Sequence, residues 1–524
     1  MSRESWGSRI GFILAALGSA IGLGNIWRYS YVVYENGGAA FLIPYWVAVF
    51  AVGIPLLILE FSLGHRLKAS APRAIEQIHP KWSWLGWWMV LFVMFGIVLY
   101  YAVVLSWVFN YWIGSLFLPW EKFPGGIEKY FFNNLLQLSR LDPATGLFPL
   151  GGFSLRVLIG LVFVWFVNWY IVYRGVEKGV ELANKIFIPL LFLMVVILVF
   201  WTISLPGASE GLKFYLKPDW SKLADPGVWI AAVSQIFFSL SLGFGIMIAY
   251  ASYLAGEEHD IVKYSFLTAL GNGVFSFIAG LAVFSTLGYM AYKQGVAVSE
   301  VVSSGIGLAF VAYPKAISLL GAGVAKRIFS FVFFTALLVA GISSSISILE
   351  AFTSAYLDAF HKGKTLEERS RERKRFVTFL VVLGFVGSSL FATRGGFYLL
   401  DIFDHFINNY GLVTAGLLES LLVGYVFKVV IMKSLKRFRE HIEVFSKYAS
   451  FIEEFHVGQI WDFLYTVVIP PILSYLLFSA FLKDILTRYS GYSLRVLLIP
   501  PVYLVLLVIV AVYLAKKQRE VENL

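Results

Sequence analysis

Two short stretches of this chain gather glycine, hydroxyl and amide side chains where the neighbours are otherwise apolar. They are Gly18-Ser19-Ala20-Ile21-Gly22-Leu23-Gly24-Asn25 and Ser239-Leu240-Ser241-Leu242-Gly243-Phe244-Gly245. Glycines so placed interrupt a helix, and an interrupted helix in an apolar medium frees carbonyl oxygens and amide hydrogens that lipid cannot satisfy. Carbonyls and hydroxyls suit a hard cation such as sodium, and amides at the start of a half-helix suit a carboxylate. Close helix packing would explain either set of glycines alone. It does not explain why serine and asparagine gather at both. The run Ser343-Ser344-Ser345 adds hydroxyls. Taken alone it is expected to bond back to its own preceding turn.

Other chemistries are absent. There is no cysteine, so disulfides, thiolate catalysis and cysteine-based metal sites are excluded. The seven histidines show no metal-ligand spacing, and no nucleophile elbow or phosphate loop is present, so an enzyme is not expected. A channel would show a repeated filter or charged rings, whereas these polar groups form two unlike half-sites.

The elements that must position these residues are membrane helices. Of 524 residues 59% are hydrophobic and 14% charged, and the apolar residues come in long runs. A span needs roughly 20 of them. About twelve spans are expected, near 10–34, 41–65, 86–118, 153–173, 183–204, 228–254, 262–292, 328–358, 376–392, 397–427, 459–482 and 494–515. Residues 119–152 read as an external loop, and 296–325, broken by glycines and Pro314, as a re-entrant or capping hairpin. The polar segment Met1–Arg9 lacks a signal-peptide pattern, so the first run is expected to stay in the mature protein.

The net charge of +10 lies in short connections, which points to anionic lipid headgroups and topology, not nucleic acid. Basic residues crowd 361–375, Lys433 to Arg439, His65 to Lys81, and Lys516 to Arg519, all on one side if both termini are cytoplasmic. The connection 255–263, with Glu257, Glu258 and Asp260, runs against that count. Trp82, Trp84, Trp87 and Trp88 read as an interfacial belt. The two Gly-x-Gly breaks stand five spans apart, and paired interruptions in corresponding halves mark a transporter binding site.

The stretch Gly18 to Arg28, the run Glu35 to Tyr45 (ENGGAAFLIPY) and the run Asp225 to Gly245 together resemble the neurotransmitter:sodium symporter family, especially its prokaryotic amino-acid transporters. The resemblance runs from Trp6 through the tenth span. It implies an all-α polytopic fold with a 5+5 inverted repeat: residues 9–204 and 226–427, then two additional helices within 457–516. It implies sodium-coupled symport by alternating access, in a prokaryotic-type plasma membrane. Residues 428–456 and the last two spans match least specifically and read as scaffold or an oligomer contact, such as a homodimer.

By resemblance, one sodium ion would meet the Ala20 carbonyl, Asn25, Ser239, Asn272 and the substrate carboxylate. A second would meet the carbonyls of Gly18, Ile21 and Ala340 and the hydroxyls of Ser343 and Ser344. Gly24 leaves room for the substrate's carboxylate, which Tyr101 would bond. Ala20, Phe238, Ser241, Phe244, Ile97, Ser344 and Ile348 would complete an apolar pocket suited to a neutral, aliphatic amino acid of small to medium size, since an unpaired charge there costs several kcal/mol. Arg28 and Asp404 would form an outer gate above a lid of Tyr101 and Phe238. Arg3 and Asp358 would form an inner one near Trp6 and Tyr253, although Arg3 alone also reads as a plain inside-positive residue. Glu60 and Glu419, inside apolar runs, are expected to bond unwound backbone. Some relatives carry a carboxylate one turn after the sodium-binding asparagine. Ser276 stands there instead, so Tyr45, Gln235, Ser239 and Ser276 resemble a chloride site.

Overall fold

The computed structural model describes residues 3–256, 260–302, 305–321, 323–422 and 463–522. Among these no strand forms; isolated bridges join Gly38 to Pro218 and Phe153 to Thr393. Among the described residues twelve apolar helices, two of them broken, account for the long runs, as lipid requires of a chain that must satisfy its backbone internally. The first is broken: α1a (Arg9–Ala20) meets α1b (Gly24–Glu35) at 58°. There follow α2 (Ala39–Leu67), α3 (Pro80–Gly114), α4 (Leu155–Tyr173) and α5 (Val176–Ile203). The sixth is also broken, into α6a (Pro226–Ser239) and α6b (Ile246–Ser252). Then come α7 (Ile261–Gln294), α8 (Gly323–Phe360), α9 (Leu366–Ala392), α10 (residues 396–421), α11 (Leu464–Gly491) and α12 (Leu494–Val521). The broken first helix lies in the middle of the bundle, against α5, α7, α8 and α6b.

Several expectations change. The basic stretch 361–375 is mostly not a loop. Thr365 accepts from the Glu368 amide while Glu368 reaches back to the Thr365 amide, and this capping box starts α9 ten residues before its apolar run. Of the four tryptophans, Trp82 and Trp84 stack at the helix entry, 5.9 Å apart. Trp87 and Trp88 are instead buried; the Trp87 indole donates to Gln518 Oε1 at 2.8 Å, which fastens α12 to α3. The hairpin at 296–325 does form: short helices fold back so that the Tyr111 hydroxyl of α3 donates to the Phe310 carbonyl, 2.8 Å away. The segment 119–152 is held at the α9–α10 junction, where the Ser139 amide bonds the Arg394 carbonyl. The end of the tenth expected span, Lys433 to Arg439, the boundaries at 427 and 457, and Glu257 and Glu258 lie outside the described residues.

Candidate functional site

The two breaks face each other. In α6, Ser241, Gly243 and Gly245 all take positive φ (54°, 76° and 71°), which the glycines adopt freely and the serine adopts only under constraint. That constraint is visible: the Ser241 hydroxyl donates to the Ser19 carbonyl at 3.1 Å, binding one break to the other. Glu60 of α2 accepts from the Gly243 amide at 2.8 Å, as expected for a carboxylate beside unwound backbone. Glu419 differs from the expectation: neither of its oxygens makes a hydrogen bond, and its carboxylate faces that of Glu60.

At the floor, Asn25 turns its amide nitrogen into a nest of three oxygens: Ser239 Oγ at 3.0 Å, Asn272 Oδ1 at 2.7 Å and Ser276 Oγ at 2.8 Å. Its own Oδ1 accepts from the Gly22 amide at 2.9 Å. All four side chains are buried. The Asn25 N–H group thus does what a cation would do, gathering neutral oxygens around a positive centre. Rotation of the amide, whose orientation follows its partners, adds its Oδ1 to them. Among the described residues no three His, Cys, Asp or Glu side chains cluster.

A second group lies between α1a and α8. The Ser344 hydroxyl is within 3.4 Å of the Gly18 carbonyl and 3.3 Å of those of Ser19 and Ala340. Ser343 is committed to its own helix, donating to the Ala340 carbonyl at 2.8 Å. Ile21 is the first residue past the helical turn of α1a, at φ −89° and ψ 97°.

A cavity of about 590 Å³ rises from this floor. Ala20, Gly24, Ile97, Tyr101, Phe238, Ser241, Phe244, Ser344 and Ile348 all line it. The Leu23 amide points at the Tyr101 hydroxyl, 3.5 Å away. A methyl group on Gly24 would come within 2.9 Å of Phe238, so any side chain at this position would press on that ring. The cavity continues past Arg28 and Asp404 to Asp401 and Tyr489 on the face away from the N-terminus. Arg28 and Asp404 make no direct ion pair: the guanidinium sits 4.7 Å above the Phe238 ring, and Asp404 accepts from Tyr100 and Asn408, each at 2.8 Å.

The N-terminal face is closed. Arg3 pairs with Asp358 at 2.7 Å and donates to Ser252 at 2.6 Å and Ser354 at 3.0 Å. The Trp6 indole donates to the Tyr250 carbonyl at 2.7 Å and stacks edge-on against Tyr253. Sequence reasoning missed half of this closure. Arg369 of α9 also pairs with Asp358, at 2.8 Å, and Arg373 forks onto Glu350 at 2.6 and 2.9 Å and reaches Glu4 at 2.8 Å. Glu350 was the available signal, a carboxylate within an apolar run that must have a partner.

Around Ser276 are buried groups left wanting. The Tyr45 hydroxyl faces Ser276 without closing a hydrogen bond, and both amide atoms of Gln235 and the Asn272 nitrogen lack partners. Unmade bonds at buried polar atoms cost about 1–3 kcal/mol each; three of these atoms, Tyr45 Oη, Gln235 Nε2 and Asn272 Nδ2, are donors and one, Gln235 Oε1, is an acceptor. No carboxylate is among these four residues.

The profile of the sodium:neurotransmitter symporter family matches residues 3–125 and 122–518. The chain is 44% identical over 516 residues to an uncharacterized sodium-dependent transporter of Methanocaldococcus jannaschii, covering 98% of each. It is 31% identical to the sodium- and chloride-dependent taurine transporter of Canis lupus familiaris, over 81% of this chain and 72% of that one. With a crystal structure of MhsT in complex with L-phenylalanine it shares a TM-score of 0.71 and 30% identity, over 91% of this chain and 100% of the other.

Proposed function

This chain belongs to the sodium:neurotransmitter symporter family, whose members are transporters and not enzymes, and on that premise we propose that it carries a neutral amino acid together with sodium, probing each side of the membrane in turn. The observation that carries this is the nest of Asn25, Ser239 and Asn272 at the floor of the cavity. These three, with the Ala20 carbonyl, hold one sodium ion whose remaining ligand is the substrate's carboxylate. A shared ligand couples the two directly, because each stabilises the other where it is bound. Gly18, Ile21, Ala340, Ser343 and Ser344 hold a second.

The substrate's carboxylate lies beside Gly24 and bonds Tyr101. Its side chain lies among Ile97, Phe238, Phe244 and Ile348, which favours an aliphatic residue of small to medium size. That a relative of similar fold binds L-phenylalanine supports an uncharged amino acid. Taking the N-terminal face as cytoplasmic, from the basic residues near it, the chain is here open to the outside and sealed within. In an occluded form Arg28 and Asp404 would meet above the Tyr101–Phe238 lid, while Arg3 and Asp358 close the cavity below. Chloride fits Tyr45, Gln235, Ser239 and Ser276: two sodium ions and a zwitterion leave excess positive charge, and the Tyr45 hydroxyl and the Gln235 amide lack partners. The chloride dependence named for the taurine transporter supports this reading.

A binding screen of the twenty amino acids, in sodium and in potassium, tests the proposal. Sodium-dependent binding of neutral aliphatic amino acids is expected. Equal binding in potassium, or preference for charged ones, refutes it.

A further inference from the structure

A second cavity, of about 600 Å³, lies apart from the central one, between α10, α11 and α12, with Trp88 of α3 at its lower end. α12 packs on α3 and α11 on α10; among the described residues the two form no extended contact with each other. The groove between them is walled by apolar side chains, among them Phe406, Ile485, Leu498, Leu504 and Val508. It opens toward lipid, for Ile485, Leu498 and Val505 are exposed. From Leu494 to Val508 its α12 wall is about 21 Å long at 1.5 Å per residue. The hydrocarbon of one leaflet is about 15 Å deep, half of a bilayer core. The groove therefore takes a chain through the whole depth of one leaflet.

The acid and the tyrosines in its wall are already paired. Asp484 bonds the Tyr410 hydroxyl at 2.6 Å and His405 Nε2 at 2.8 Å. The Tyr489 ring stacks on His405 and its hydroxyl donates to Asp401 at 2.9 Å. The mouth is different. Arg488 stands there beside Tyr489, and Arg495 beside Leu494. Both are exposed, and among the described residues neither side chain has an ion pair or a hydrogen bond. Tyr489 also lines the outer end of the central cavity, so this mouth lies on the face away from the N-terminus. The charge rule that accounts for basic residues on the N-terminal face does not account for this pair.

We propose that the groove is a phospholipid site: it holds one acyl chain of a lipid from the leaflet away from the N-terminus, and Arg488 and Arg495 meet that lipid's phosphate. An unfilled groove forfeits dispersion contacts along both walls, and hydrocarbon is the material at hand to restore them. The arginines select among lipids, because a guanidinium matches a phosphate in charge and in geometry. The site does not depend on the sodium-coupled reading. Since Tyr489 lines both the groove and the central cavity, the bound chain also backs the outer wall of the latter.

The test counts lipids held by the purified, delipidated full chain, by native mass spectrometry, with thermal unfolding to check that each variant is folded. Phosphatidylglycerol is compared with diacylglycerol, which has the chains and lacks the phosphate. Wild type is expected to hold one phosphatidylglycerol more tightly than diacylglycerol. Arg488→Gln with Arg495→Gln should weaken phosphatidylglycerol roughly 30-fold, from about 1 kcal/mol for each basic residue at an anionic lipid surface, and leave diacylglycerol unchanged. Val505→Trp fills the groove from an exposed position, 61% accessible, and should weaken both lipids. Equal binding of the two lipids by wild type, or of phosphatidylglycerol by wild type and the double glutamine variant, overturns the phosphate site. Unchanged binding in Val505→Trp overturns the groove. So does a dimer that Val505→Trp splits, which would seat a second copy there. Displacement of the lipid by an equal concentration of glycerol phosphate would mean an anion site without the chain and overturn the proposal as well.

Discussion

Arg373→Met tests whether the closed face is held by the ion pairs that the sequence did not announce. The Arg373 side chain is 2% exposed and the Glu350 side chain not at all. Removing the arginine leaves Glu350 with the Tyr253 hydroxyl alone, at 2.6 Å. Breaking a buried pair by deleting one partner costs about 3–5 kcal/mol, and the surviving tyrosine bond places this case near the lower end. Water reaching Glu350 when the face opens relieves that penalty. The ratio of open to closed forms should therefore rise by roughly 100-fold, the factor that about 3 kcal/mol converts to. The chain has no cysteine, so one reporter thiol is enough. Ser347→Cys places it in a fully buried position, one turn from Glu350 toward Ser344. Labelling of that thiol by a water-soluble maleimide should quicken by about the same factor in Arg373→Met. Adding Glu350→Leu should slow it again, since a buried pair replaced by apolar groups is often nearly neutral. Unchanged labelling in folded Arg373→Met refutes the reasoning.

Three further changes follow from the site and the packing. Ser276→Glu puts a carboxylate one turn from Asn272, so uptake with gluconate as the only anion should match uptake with chloride; continued need for chloride counts against the anion site. Ser239→Ala removes one oxygen from the nest and should raise the sodium concentration for half-maximal binding roughly tenfold, while Ser239→Thr restores it. Gly64→Ala would set a methyl group 1.9 Å from the Ile248 carbonyl of α6b; thermal unfolding should show a loss of about 1–3 kcal/mol or more, and an unchanged melt would mean that α2 and α6b are not packed this closely.

What the sequence made legible were residues whose type is improbable in lipid. Asn25, Ser239 and the glycines of both breaks declared themselves because an apolar helix has no ordinary use for them, whereas Asn272 was reached only through the family resemblance. Arg369 and Arg373 did not, because a basic residue beside a span already has a sufficient explanation in topology. Only the fold shows that Arg373 turns inward to Glu350. Trp87 and Trp88 misled for a similar reason: tryptophan at a helix entry fits the headgroup region, yet the Gln518 carbonyl drew one of them inside.

The closed face and the site share one moving part. α1a is held to α8 by the weak contacts of Ser344 with Gly18 and Ser19, to α6 by Ser241 with Ser19, and at its foot by Arg3 with Asp358. Neutral hydrogen bonds contribute about 1 kcal/mol each, and those near the site are long ones. On the proposed reading, an ion held between the Gly18 carbonyl and Ser344 would add to that clasp, so the N-terminal face would stay shut while the ion is present and yield when it leaves. The driving force is ample: a charge crossing about 100 mV supplies roughly 2.3 kcal/mol, more than two such bonds together. Release of the ion and the opening that permits release are then one event.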